Sequence, residues 1–202
     1  MKTGKALIIP FLALALTGCL SSPPEAPVNW TVEWMPGGDT TAVSPRFGLV
    51  RPSLVAVRAP YDGSRIAVLR PDGSIAFDAF NVFAASPASL LRGAVGDVLT
   101  ASGEFSGVLD AASSANAQFL AEVTVRRLAL DCRKEGRRDA CVDLTFTLLE
   151  GRRPVATKSA SASEPAPLGN YSAAFSTAFA RALQSAVGAA LDDAKAASDR
   201  KD

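Results

Sequence analysis

The chain of 202 residues contains no histidine and only three cysteines, which limits the chemistry open to it. Without histidine there is no Ser-His-Asp or Cys-His arrangement, and no imidazole to bind a metal ion or carry a proton. The two cysteines beyond the N-terminal segment, Cys132 and Cys141, are too few for a thiolate zinc site. No glycine-rich phosphate loop is present. The sequence therefore predicts no catalytic residue, metal site or cofactor, and it argues against an enzyme.

The remaining cysteine, Cys19, ends an apolar N-terminal segment. Two lysines precede an apolar run over residues 6–16, a pattern typical of a secretory signal peptide and too short for a transmembrane helix. Residues 16–19, Leu-Thr-Gly-Cys, resemble the bacterial lipobox, in which the cysteine thiol receives diacylglycerol. We therefore interpret residues 1–18 as a lipoprotein signal peptide and Cys19 as the acylated start of the mature chain. The alternative is an ordinary signal peptide followed by an incidental cysteine.

Lipidation and composition together predict the compartment. Each buried methylene of an acyl chain contributes about 0.8 kcal/mol, so two or three chains hold a protein firmly on a membrane. The resemblance to bacterial lipoproteins implies a periplasm-facing protein, and Leu20, in place of the aspartate that favours inner-membrane retention, favours the outer membrane. Without the two signal-peptide lysines, 19 basic residues face 20 acidic ones, a balance that gives no argument for nucleic acid.

Composition divides the mature chain into a tether and one folded domain. Residues 19–45 are rich in proline and lack periodicity, which indicates a lipidated tether and an irregular entry segment. Trp30 and Trp34 in this segment either pack on the domain or touch a membrane or partner. Residues 46–197 form the predicted domain, and residues 198–202 form a polar tail.

Within the domain, the pattern predicts strands, a helix, more strands and a second helix. Residues 71–74, Pro-Asp-Gly-Ser, predict a hairpin turn, and Ser86 followed by Pro87 predicts a helix start. Apolar residues then alternate strictly over residues 142–148, and an alanine-rich apolar stripe runs through a long helix from about residue 171 to 197. This helix is expected to pack on the sheet, with a role at another subunit as the alternative. The predicted fold is an α+β two-layer domain with a mainly antiparallel sheet and two packed helices.

Cys132 and Cys141 flank a polar loop between two strand-like runs. Because a periplasmic compartment permits disulfides, we expect a bridge across this hairpin, with two buried free thiols as the alternative. Facing cysteines would put Leu130 on the same side of the sheet as Asp143, so the register requires a bulge or a covered outer face. The arginines at positions 126 and 127 interrupt the alternation and mark a candidate bulge.

Paired basic residues recur at hairpin ends and are the candidate binding groups. They could hold an anionic lipid headgroup or an acidic partner surface, while ordinary solvation of loop tips is the alternative. We take Arg137 and Arg138 as the candidate partner-binding residues. The pairs are Arg126-Arg127, Arg133-Lys134, Arg137-Arg138 and Arg152-Arg153.

Residues 68–99, VLRPDGSIAFDAFNVFAASPASLLRGAVGDVL, resemble the signature region of the ABC-type transport auxiliary lipoproteins. That family shows a strand, a polar turn, a strand with an aromatic residue, a W-x-x-P type junction and a leucine-spaced helix. Here Phe83 stands in place of the tryptophan and Pro87 supplies the proline one step further on. Residues 170–191 similarly resemble the closing helix of the family, and the lipobox resembles its N-terminus.

This resemblance implies a lipoprotein that works with an ABC permease, its ATPase and an MCE (mammalian cell entry) domain protein. Such systems move phospholipids or other hydrophobic molecules between two membranes and contribute to envelope integrity. The family supplies no catalytic residues, so only Cys19 transfers as a defined site. A free-standing periplasmic lipid carrier is the alternative function, and a homo-oligomer is compatible with both.

Overall fold

A computed structural model describes residues 26–32 and 44–198 of the chain. This part of the chain contains seven strands and two helices. In chain order they are β1 (Val28–Trp30), β2 (Val50–Val57), β3 (Arg65–Leu69), β4 (Ile75–Phe83), α1 (Pro87–Ala101), β5 (Phe119–Asp131), β6 (Asp139–Glu150), β7 (Arg153–Pro165) and α2 (Tyr171–Ser198). The signal peptide, Cys19, Trp34 and residues 199–202 of the tail lie outside the described residues.

The seven strands form one mixed sheet, so the predicted α+β fold is confirmed. The strand order is β1-β4-β3-β5-β6-β7, and β2 also pairs with β5. β2 and β3 share one edge of the long strand β5, where both run parallel to it, at residues 119–125 and 129–131 respectively. β6 pairs antiparallel along the other edge of β5. The sheet therefore contains more parallel pairing than the sequence predicts, because both β2 and β3 reach β5 through crossover connections.

The core lies between one face of the sheet and the two helices. α2 packs on β6 and β7, and α1 packs on β2. The alternating apolar residues of β6 are fully buried, as predicted: Val142, Leu144, Phe146 and Leu148. Alanines at positions 178, 182, 186 and 190 of α2 are buried, so the helix backbone can lie close to the sheet. The long helix α2 is therefore a core helix. Neither α1 nor α2 has both the length and the hydropathy needed to span a membrane.

Local sequence signals position the turns and helix ends as predicted. The Ser86 hydroxyl accepts a hydrogen bond of 3.3 Å from the Ser89 N–H, and Pro87 occupies the first turn of α1. In the β3–β4 turn, the Asp72 carboxylate accepts a 2.9 Å bond from the Ser74 N–H, and Gly73 has a φ of 82°. These signals depend on neighbours in sequence, which is why they can be recognised without the structure.

A β-bulge lies between Val125 and Arg127 of β5, where the interrupted alternation predicts it. The extra residue shifts the register so that Leu128 pairs with Val142 and both side chains face the core. Arg127 then faces outward and forms an ion pair of 2.9 Å with Asp143. The bulge therefore lets apolar residues continue on the core side while a charged pair lies on the opposite face.

Candidate functional site

Three connections meet at one end of the domain, which we call the hairpin end: the β3–β4 turn (70–74), the β5–β6 loop (132–138) and the β7–α2 loop (166–170). The Cys132 N–H donates a 2.9 Å hydrogen bond to the carbonyl of Leu69, which joins the first two connections. The Ala166 N–H donates a 2.9 Å bond to the carbonyl of Arg138, which joins the second and third. The hairpin end is thus one continuous surface.

The N-terminal segment enters the domain beside the hairpin end. The Trp30 ring packs against Tyr171 at a centroid distance of 5.6 Å, and its indole N–H donates a 2.9 Å bond to Asn81. The Ser172 hydroxyl donates a 2.6 Å bond to the carbonyl of Thr31. Trp30 therefore packs on the domain, and the chain leading from Cys19 arrives at the start of α2.

The basic residues of the hairpin end differ in how their charges are used. Arg133 pairs with Asp131 at 2.5 Å, and its hydrogen bonds lower the pKa of that carboxyl group to about 2. Arg137 pairs with Asp139 at 2.6 Å. Arg138 donates instead to the uncharged hydroxyl of Tyr171 at 3.3 Å. Of the two predicted partner-binding arginines, Arg137 is held by a local ion pair, whereas Arg138 has no carboxylate partner among the ion pairs of residues 44–198.

A surface cleft of about 660 Å³ separates the β5–β6 loop from the β7–α2 loop. Its walls have different chemistry. One wall carries three basic groups, Lys134, Arg137 and Arg138, together with the carboxylates of Glu135 and Asp139, while residues 165–168, Pro-Ala-Pro-Leu, contribute apolar groups to the other. Leu168 is 74% exposed, the largest value among the large apolar side chains of the described residues. The arginines are visible as candidates in the sequence, but this leucine is not, since a single apolar residue in a loop carries no periodic signal.

The structure differs from the predicted disulfide, because both Cys132 and Cys141 are free thiols. Cys141 pairs with Ala129 on the outer face of the sheet, and its thiol lies 3.4 Å from the Ser163 hydroxyl. Cys132 lies beyond the last strand pair, Asp131 with Asp139, and packs against the core. The two cysteines are therefore on opposite faces and offset by three positions, roughly 10 Å, which exceeds the Cα separation of a disulfide.

We expect both thiols to be recovered free, with different reactivities. Burial is the main cause that raises the pKa of each thiol, so the protonated, unreactive form dominates at neutral pH. Cys141 is buried and Cys132 is partly exposed, so alkylation of folded protein should modify Cys132 at least several times faster. Peptide mapping under non-reducing conditions measures both properties. A peptide pair linked through Cys132 and Cys141 would contradict this arrangement.

A second surface, the β4 edge, consists of residues 75–80 on the side of β4 that faces away from β3. β1 pairs only with residues 81–83 of β4, so no described strand covers the β4 edge. Asp78 accepts bonds of 2.8 and 3.0 Å from the N–H groups of Phe80 and Asn81, which stabilise an irregular segment in the strand. Large apolar side chains at and beside this edge are exposed by 41 to 55%: Ile75, Phe77, Phe80 and Val28.

The β4 edge cannot be recognised as a site from the sequence alone. Apolar residues in a strand normally predict burial, and only the strand order shows that this strand lies near the margin of the sheet. Exposed edge strands commonly carry lysine or proline, so the absence of both from residues 75–80 gives no sign in the sequence that this strand is exposed. In the described ranges 26–32 and 44–198, no group of three cysteine, aspartate or glutamate side chains could hold a metal ion.

Comparisons with known proteins show similarity in fold. No family model and no curated protein matches the sequence. A solved protein from Xanthomonas campestris, described as DUF330, aligns with a TM-score of 0.65 and 21% identity over 85% of this chain and 98% of its own. A second solved, uncharacterised protein aligns with a TM-score of 0.57 and 14% identity over 82% of this chain and 99% of its own. These similarities establish that the α+β arrangement recurs across nearly the full length of other proteins.

Proposed function

We propose that this chain is a lipid-anchored periplasmic accessory component of an ABC transporter and MCE system. The β4 edge of the chain would bind the MCE protein of that system. The transporter would move phospholipids or other hydrophobic molecules between the membranes. The lipobox that ends at Cys19 and the family resemblance over residues 68–99 and 170–191 support the proposal. Leu20 supports anchoring in the outer membrane, where the protein would receive the far end of the assembly.

The observation that carries docking is the exposed apolar character of the β4 edge. Open strand edges present unpaired N–H and C=O groups, and proteins usually protect them with charges, prolines or covering segments. Residues 75–80, Ile-Ala-Phe-Asp-Ala-Phe, contain one charged residue, and its carboxylate bonds to the backbone of the same segment. A partner strand could therefore gain both backbone hydrogen bonds and apolar contacts here.

The preceding segment of the same chain is a poor occupant for this edge. Val28 pairs with Asn81, so continuing the β1 register backward would place residues 22–27 opposite residues 75–80. Three of those six residues are prolines, at positions 23, 24 and 27, and proline has no N–H to donate to a strand partner. This composition argues against the preceding segment as the strand partner of the β4 edge.

The internal packing favours an accessory role over the alternative of a free-standing lipid carrier. A carrier needs an apolar cavity that can enclose much of its ligand. The cleft between α1 and α2 has a volume of about 270 Å³ and contains the ion pair of Lys195 with Glu104, at 2.8 Å. This cleft is small and has a charged lining, and the larger cleft at the hairpin end is open to the surface and lined by five charged residues, so neither suits the enclosure of acyl chains.

Affinity isolation of the anchored protein from membranes tests the proposed function. Wild-type protein should recover the MCE protein and the ABC permease, and Phe80→Ser should reduce this recovery at least tenfold, since it removes a large apolar contact from the β4 edge. Leu54→Ser is the matched control, because Leu54 is a 45% exposed leucine on β2, away from this edge. Deletion of the protein should increase sensitivity of the cells to detergents.

Failure to recover any transporter component, together with an unchanged envelope barrier after deletion, would overturn the proposed function. Equal loss in Phe80→Ser and Leu54→Ser would instead show that docking does not use the β4 edge. Thermal unfolding of both variants checks that neither change has disrupted the fold.

A further inference from the structure

We propose that the hairpin end lies against the anionic membrane surface that carries the lipid anchor. In this arrangement, Lys134 and Arg138 contact headgroup phosphates and Leu168 enters the boundary between headgroups and acyl chains. The inference deepens the proposed function and rests on anchoring through Cys19. It assigns the basic loops to lipid and leaves the β4 edge for the protein partner.

The length of the tether restricts which end of the domain can reach the membrane. From Cys19 to Ala26, the first described residue, there are seven residue steps, which span at most about 25 Å. The described chain enters beside Tyr171 at the hairpin end. β6 has 12 residues and runs from the hairpin end to the β6–β7 turn, a length of roughly 35 to 40 Å. The tether is shorter than this length, so it reaches the membrane more readily when the hairpin end, rather than the β6–β7 turn, faces the bilayer.

The charges of the hairpin end suit anionic headgroups. Lys134 and Arg138 line the cleft, and neither takes part in an ion pair within residues 44–198. The N-terminal end of α2 lies beside Arg138 and has no acidic residue in its first turn, so its helix dipole adds positive potential. Phosphate oxygens are suitable acceptors for guanidinium and ammonium groups.

The acidic residues of the same end limit the strength of this contact. Asp131 and Asp139 are compensated by Arg133 and Arg137, whereas Asp72 and Glu135 lie in exposed loops. The loops and their strand ends thus carry five basic and four acidic residues. We therefore expect weak binding without the lipid anchor, with Leu168 contributing more than either basic residue alone.

Leu168 supplies the apolar part of the contact. It is 74% exposed in the β7–α2 loop, directly after Pro167, so the described residues leave most of its side chain uncovered. A leucine beside basic groups matches the membrane interface, where charged headgroups meet acyl chains within a few ångströms. The anchor keeps the domain at this interface, so even a weak contact fixes its orientation.

Binding to vesicles measures this contact without the anchor and without a protein partner. The mature-length chain, residues 19–202 with Cys19→Ser, is titrated with vesicles of phosphatidylglycerol and phosphatidylethanolamine, and with vesicles of phosphatidylcholine alone. The combination of Lys134→Gln and Arg138→Gln should weaken binding to the anionic vesicles about 20-fold, since each basic residue near such a surface contributes roughly fivefold. Leu168→Ser should weaken it about tenfold.

The arginine pair at the opposite end provides the control. Arg152→Gln with Arg153→Gln removes the same charge from exposed positions at the β6–β7 turn and should change binding less than twofold. The Arg138→Gln change also removes the hydrogen bond from Arg138 to Tyr171 and so can disturb the fold. The Leu168→Ser variant tests the same surface without removing that bond. Absence of binding to anionic vesicles, equal binding to neutral ones, or an equal loss in the control would overturn the inference. Recovery of the transporter in the isolation experiment would then leave the proposed function intact.

Discussion

Replacing Phe146 with alanine is expected to lower the free energy of unfolding by about 3 to 5 kcal/mol, a large part of the total stability of a domain of this size. Phe146 is fully buried in the middle of β6, on the face that α2 covers. Loss of the ring removes apolar contacts and leaves a cavity that the surrounding residues can fill only in part. Urea unfolding monitored by circular dichroism measures the change.

The neighbouring residue provides a control on the same strand. Thr147 lies on the outer face, where its hydroxyl accepts a 3.3 Å hydrogen bond from Thr157. Thr147→Ala should lower the free energy of unfolding by about 1 kcal/mol or less, because the lost bond is partly exposed to water. Similar losses for the two variants would contradict the assignment of the two faces of β6.

Replacing Cys19 with serine is expected to abolish membrane anchorage. A hydroxyl group in place of the thiol cannot receive the thioether-linked diacylglycerol, so lipoprotein-type processing cannot follow. The wild-type chain should partition into detergent and carry added acyl mass on an N-terminal cysteine. The variant should carry no acyl mass and stay in the aqueous phase. A wild-type mature chain that begins elsewhere or carries no acyl mass would contradict the anchoring proposal.

Those parts of the fold that depend on neighbouring residues could be predicted from the sequence. The alternation in β6, the cap at Ser86 and the turn at Gly73 each combine residue type with short spacing. The bulge before Arg127 could also be predicted. The two arginines at positions 126 and 127 interrupt the apolar alternation, which continues after them out of phase by one residue. All of these signals lie within a few residues of the feature they specify.

The remaining features depend on pairings between distant segments. The parallel pairing of β2 with β5 joins Val50 to Phe119, and no local pattern distinguishes it from an antiparallel pairing. A simple hairpin places Cys132 opposite Cys141, but the register places Cys141 opposite Ala129. The observed register differs from the facing one by three positions. Because this number is odd, the Cys132 thiol lies on the core side of the sheet and the Cys141 thiol lies on the outer face.

The candidate sites were predictable to different degrees. Doubled arginines in a polar loop are visible in the sequence, so Arg138 could be named in advance, but its bond to Tyr171 required the fold. The β4 edge could not be found in this way, because exposure of Phe77 and Phe80 follows from the position of β4 in the strand order. Sequence patterns identify apolar strands, while the arrangement of the strands decides which of their side chains are covered.

Photochemical cross-linking from the β4 edge in living cells tests the central claim most directly. A photoreactive phenylalanine analogue replaces Phe80 in the anchored protein, and in a second strain it replaces Leu54, which is similarly exposed on β2. Irradiation should join position 80, but not position 54, to the MCE protein of an ABC transport system. Absence of an MCE adduct at position 80 in cells that contain both proteins, or equal adducts from both positions, would contradict docking through this edge.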